Sequence, residues 1–173
     1  MSTLKVNSII PVAGVPTGGG GGIVQIKQTV KTDTFSTSTT SLAFTEVTGL
    51  NVSITPTSTS SKIFVVASVN LGTRGDSQAM LRLKRGSTDI YVGDADGNRV
   101  QCACEGHTGG TNHGIDNFSI SFIDSPATTS QITYGIFMRV TGSTHYVNRT
   151  NPDDNADYQS RVPSSITAME VSA

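Results

Sequence analysis

The chain has 173 residues, with 12 Lys and Arg against 13 Asp and Glu, a formal net charge of −1 and only 14% charged residues. That length accommodates one domain with a real core plus a tail, and the charge balance excludes the broad basic surface on which nucleic-acid binding rests. No apolar run approaches the roughly 20 residues that span a bilayer, so membrane insertion is not expected.

The first stretch, Leu4-Lys-Val-Asn-Ser-Ile-Ile-Pro-Val, alternates like a single strand up to Ile10, after which Pro11 and Pro16 remove backbone donors. A lone strand has no stability of its own, so residues 1–17 read as an extended arm ordered by docking on another protein. Its docking residues are Leu4, Val6, Ile9, Ile10 and Val12. The opening residues have no apolar core of a secretory signal, which predicts a product kept in the cytoplasm until assembly. Gly18 to Gly22 form an unbroken run that neither nucleates a helix nor packs a strand, and so act as a flexible joint. The folded head is expected over residues 23–173.

Beyond the joint, apolar residues recur with period two, which marks strands. Val24, Ile26 and Val30 form the first set, and Leu50, Val52 and Ile54 the second, stopped by Pro56. Lys62 to Leu71 is apolar on both faces in its first half, the pattern of a central strand covered on both sides. Ala79, Leu81 and Leu83 follow, then a Gly86-Ser87 turn into Asp89-Ile-Tyr-Val. Asp96-Gly97 signals a hairpin turn, and Val100, Cys102 and Cys104 supply another inward set. Phe118, Ile120 and Phe122 precede the most regular alternation in the chain, from Ile132 to Val140. The last strand, Ser165 to Val171, is placed inside a sheet. Roughly eight to ten strands without a helical window predict an all-β fold, an antiparallel β-sandwich of jelly-roll type.

Two polar loops could carry chemistry. Cys102, Cys104, His107 and His113 offer soft ligands, but their spacing matches no structural zinc pattern. Two cysteines two apart on a strand share a face, so buried free thiols are expected in place of a disulfide. Asp153, Asp154 and Asp157 with Asn151 and Asn155 are hard oxygen donors, yet the glycine and glutamate of an EF-hand are missing. No metal and no cofactor is therefore assigned. Matches to the glycosylation pattern at Asn51, Asn117 and Asn148 are chance products of a Ser/Thr-rich chain. There is no Gly-x-Ser-x-Gly elbow, and the glycine run lacks the Lys-Ser/Thr of a phosphate loop, so no enzyme is expected.

The opening Met1-Ser-Thr-Leu-Lys-Val-Asn-Ser-Ile, the glycine run into Ile23-Val-Gln, and the stretch Phe44 to Ile63 resemble small virion proteins of tailed phages, especially those of aquatic and cyanobacterial hosts. Leu83-Lys-Arg-Gly-Ser-Thr-Asp-Ile and Ser165-Ile-Thr-Ala-Met-Glu-Val share the likeness. It covers most of the chain, although about Val92 to Asn117 and Asn148 to Ser160 have no counterpart. The resemblance implies a virion location and a tail-fibre-like or structural role. The expected protein is a homotrimeric fibre whose arm inserts into other virion proteins and whose loops meet a glycan or protein of the host surface. The loop residues expected to carry that contact are Asn112, His113, Asp116, Asn148, Arg149, Asp153, Asp154 and Tyr158, because polar and aromatic side chains suit sugars. The alternative is a capsid decoration protein that binds the shell through the arm.

Overall fold

Alternating apolar side chains build two antiparallel sheets that face one another in the computed structural model, which describes residues 22–38, 43–72, 77–106 and 113–172. The arm, Gly18 to Gly21, His107 and Asn112 lie outside the described residues. Eleven elements form: β1 (Ile23–Lys31), β2 (Phe35–Thr37), β3 (Thr45–Ile54), β4 (Lys62–Gly72), β5 (Ala79–Arg85), β6 (Thr88–Tyr91), β7 (Cys104–Gly106), β8 (Asp116–Asp124), β9 (Ile132–Val140), β10 (His145–Val147) and β11 (Ser164–Val171). Among the described residues no helix forms.

Three pairs of these elements are collinear. β10 and β11 both pair with β4, at Leu71–Gly72 and Lys62–Ser68, and β2 and β1 continue that division outward. β6 and β7 likewise share one side of β5, at Leu83–Arg85 and Ala79–Leu81. The first sheet is thus β1/β2, β10/β11, β4, β8, and the second is β3, β9, β5, β6/β7. With strand positions numbered along the chain, the orders are 1-8-3-6 and 2-7-4-5, which is the jelly-roll winding of two interlocked Greek keys.

The core lies between the sheets. Ile63, Val65, Ala67, Val69 and Leu71 of β4 face Leu81 and Leu83 of β5 and Tyr134, Ile136, Met138 and Val140 of β9, all fully buried. One polar cluster interrupts it: buried Asp124 accepts from Tyr134 Oη and Arg85 Nη1, each at 2.7 Å. Burial, then the bond to Asp124, pushes the Tyr134 phenol well above its ordinary range. A second cluster closes the sandwich edge, where buried Glu170 accepts from Thr57 N and Oγ1 at 2.7 Å and from Gln25 Nε2 at 2.6 Å. Burial alone would raise the Glu170 carboxyl, but the bonds from Gln25, Thr57 and Ser61 hold it below the usual carboxylate range.

Most strands read from the sequence form. Of the Val100, Cys102 and Cys104 set, however, only Cys104 enters a strand, the short β7, while residues 100–103 run irregular. Two strands differ in which face is covered. In β1, of the expected set Val24, Ile26 and Val30, Val24 is half-buried at a register shift while Ile26 and Val30 point away from the core, because register puts Lys27 opposite buried Ala168 and Thr29 opposite buried Ile166. In β4, Phe64 and Val66 are only half-buried, so this chain covers the strand on one face and not on both. Register fixes the outer face of the first sheet as rows: Ile26–Met169–Phe64–Ile123, then Gln28–Thr167–Val66–Ser121, then Val30–Ser165–Ser68–Ser119. The cysteines are free and half-buried. Asp96-Gly97 is a turn, with Gly97 at φ +55° and Arg99 N bonded to Asp96 O, but it sits in an irregular segment closed by Gly93 N to Cys102 O and not between two strands.

The two ends of the sandwich differ. Gly22, the last residue of the glycine joint, lies where β1 starts beside the end of β11 and the start of β4, and its N–H donates to Ser172 Oγ. The long polar loops leave from the opposite end, where β4 finishes and β8 begins. The 11 residues of β4 put about 35 Å between them.

Candidate functional site

The loop from residue 149 to 161 is launched by Asn148, which the sequence offered as a contact residue and the structure reassigns. Asn148 is fully buried in the left-handed region at φ +68°. Asparagine tolerates that conformation because its short amide can bond locally. Its Nδ2 donates to the carbonyls of Lys31 at 2.8 Å and Asp33 at 2.9 Å, and its Oδ1 accepts from Ser164 Oγ at 2.6 Å. Asn148 N also donates to Asn70 O, and Val162 N to Asn148 O. This residue ties β1, β4 and β11 together and is no surface contact.

Arg149 is also turned into the framework. Its guanidinium stacks 3.7 Å over the Tyr146 ring while Nη1 donates to the carbonyls of Thr150 and Asn151. An isolated bridge joins Arg149 to Arg161 and closes the loop at its base. Gly72 is needed just there, since a Cβ at that position would lie 1.9 Å from Arg149 O.

Across the loop, Arg161 Nη2 donates to both oxygens of Asp153, at 2.6 and 2.7 Å, and Arg149 Nη1 stands 3.8 Å from the same carboxylate. Two guanidinium groups thus face the Asp153 carboxylate and offset its charge. Among the described residues no three His, Cys, Asp or Glu side chains come together as a metal site. Burial pushes the Cys104 thiol up to about 11, so it stays protonated near neutrality. Ser77 Oγ and His145 Nε2 share a 2.7 Å hydrogen bond, but both residues are buried and offer a substrate no approach.

The remaining candidates gather at the surface. His113 and Tyr158, 45 positions apart in sequence, meet edge to face with ring centroids 5.2 Å apart. Tyr158 is 64% exposed, the most exposed large apolar side chain among the described residues. Asp154 is exposed and bonds through its N–H to Gln159 Oε1 at 2.7 Å. Asp116 opens β8 opposite Leu71, half-buried on the rim. In the same loop a cleft of about 260 Å³ is lined by Asp153, Asn155, Ala156, Gln159, Ser160 and Arg161, without Tyr158. Sequence reasoning missed Arg161, Gln159 and Tyr146. The only signal for Arg161 is its charge at the end of an acidic loop, and nothing in the spacing ties it to Asp153.

An exposed aromatic ring in the same loop as a shallow cleft lined by amides, a hydroxyl and a guanidinium–carboxylate pair can stack on an apolar face and exchange hydrogen bonds with hydroxyl groups. No protein-family model matches the chain, and no curated protein matches it.

Proposed function

We propose that this chain is a virion structural protein of a tailed phage, a trimeric fibre or adsorption protein held by its N-terminal arm and presenting the 149–161 loop to the host surface. The observation that carries the reading is the placement of Gly22 and of the 149–161 loop at opposite ends of one sandwich, about the length of β4 apart. A tethered adsorption module needs that polarity, because the end that meets the host must point away from the end that is anchored.

The contact surface comprises His113, Tyr158, Asp154 and the cleft at Asn155 and Gln159. Its partner class is a glycan: sugar rings present C–H faces to Tyr158 and hydroxyls to the amides and carboxylates. The pairing of Asp153 with Arg161 offsets one charge of the loop, and exposed Asp154 and Asp157 offer carboxylates that accept from saccharide hydroxyls. No catalytic step is assigned, and Asn148 and Arg149 act by positioning the loop.

The test combines location with adsorption. Copies per purified virion, counted by quantitative mass spectrometry against the major capsid protein, should be low and a small multiple of three. Tyr158→Ala should abolish most host adsorption while leaving the particle intact. A copy number approaching that of the capsid protein would establish the decoration alternative instead, and unchanged adsorption by the Tyr158 variant would remove the receptor role.

A further inference from the structure

Inverted alternation in β1 is the feature that the chain by itself does not account for. Strand residues Ile26 and Val30 face solvent, whereas Gln25 and Thr29 are half-buried and Lys31 is buried; Lys27, in register with buried Ala168, is itself exposed. A strand at a solvent-facing edge ordinarily reads the other way, apolar in and polar out. Ile23, Ile26, Val30 and Ile123 are 51–58% exposed, and Phe64 and Met169 between them are half-buried. Scattered exposed apolar residues need no explanation, but a contiguous set across four strands marks a contact surface.

The two outer faces of the sandwich differ in charge. On the second sheet, Asp89 pairs with Arg82 at 2.7 Å and with Lys84 at 3.3 Å, and the two cations lie over the rings of Phe44 and Phe137. That is a solvent face. On the first sheet, the three rows from Ile26 to Ser119 contain no charged residue, and the exposed Lys62 stands at the far end of the next row, Ile23–Val171–Lys62. Depletion of charge around an apolar centre is the composition of an interface core. Three uncharged rows require no partner of opposite sign and meet the same rows of a copy without repulsion, with Lys62 left at the rim.

We propose that the outer face of the first sheet packs against a second copy of this chain, centred on Ile26, Met169, Phe64 and Ile123. The apolar positions extend about 14 Å across three strand spacings and about 25 Å along β1. A single extended segment covers one such row, whereas another sheet covers them together. The patch also lies at the Gly22 end, so copies packed here bring their Gly22 ends together. The inference rests on the oligomeric part of the proposed function and is independent of the receptor part.

The experiment measures the mass of the full-length chain by sedimentation equilibrium, for wild type, for the double variant Ile26→Glu/Ile123→Glu and for Thr133→Glu on the opposite face. Both altered surfaces are exposed, so circular dichroism should show all three folded. Wild type and Thr133→Glu are expected to be oligomers. The double variant is expected to need at least about tenfold more protein for half-assembly, given the value of burying an isoleucine. A monomeric wild type, or a folded double variant assembling as wild type does, overturns the proposal. Hydrogen exchange names the other occupant: a monomer whose residues 1–21 are protected only in wild type covers the face with its own segment, which also overturns it. Adsorption of Tyr158→Ala virions reads the receptor role separately, so either claim can fail while the other stands.

Discussion

Replacing Asn148 by Asp keeps the shape of the side chain and its tolerance of φ +68°, but turns two donors into acceptors. The new carboxylate oxygen would sit against the carbonyls of Lys31 and Asp33, now 2.8 and 2.9 Å from Nδ2, in a fully buried position. Two lost hydrogen bonds amount to about 2 kcal/mol, and a buried charge with no counter-ion adds several more. A loss above about 4 kcal/mol is expected at pH 7. Asn148→Gly, which keeps the backbone conformation and loses all three side-chain bonds without introducing charge, should cost about 3 kcal/mol. The sign of the pH dependence separates the two variants. Burial against carbonyls raises the folded-state pKa of the introduced aspartate above its unfolded value, so its stability contribution is present at low pH and lost as pH rises. The deficit of Asn148→Asp relative to wild type should therefore shrink between pH 7 and pH 4, while that of Asn148→Gly stays constant. Urea denaturation followed by circular dichroism over that range reads both. An Asn148→Asp protein as stable as wild type at pH 7 would refute the placement of this side chain as a buried tie.

Two further predictions concern the ends of the sandwich. Gly72→Ala drives a methyl group into the Arg149 carbonyl, so it should lower stability by about 2 kcal/mol or more and open the 149–161 loop to protease, as limited proteolysis would show. Glu170 has a folded-state pKa below its unfolded value, so the stability it gives is full above the ordinary glutamate range and falls as pH drops through the folded value. Thermal denaturation should accordingly show Glu170→Gln less stable than wild type by about 2 kcal/mol at pH 7, with the gap closing below about pH 4.

What the sequence discloses depends on how local the cause is. β4, β9 and β11 are legible because each carries an inward apolar set at period two, and Pro56 ends the β3 segment by removing a donor. The jelly-roll class follows from the strand number, whereas its order is settled by pairings such as Ile26 with Met169, far apart in the chain. β2 and β10 have three residues each, too few for a period to show, and exist because they extend β1 and β11 past an interruption. Direction is not legible in β1. Alternation marks a strand but does not say which face is inward, and polar anchors such as Gln25 to Glu170 and Lys31 to Asp33 decide it. The candidate loops were found by composition, yet the division of labour within them was not. Asn148 and Tyr158 are both polar loop residues in the sequence, and only remote partners make one a tie and the other a surface ring.

That division has a consequence for how the molecule could vary. The loop from 149 to 161 is closed at its base by Asn148, by the Arg149–Arg161 bridge and by Gly72, all drawing on the sandwich. Midway, the Arg161–Asp153 pair clasps its two sides. Tyr158, Asp154 and Asn155 project beyond the clasp and contribute little to the core. Substitutions at the tip are therefore nearly free of folding cost, and substitutions at the base are not. A surface whose binding residues can change without unfolding the scaffold is what selection on partner recognition requires. Under the proposed packing, the outer face of the first sheet carries the contrary demand. Apolar residues of several copies would have to fit together there, so one substitution would alter every contact in the assembly.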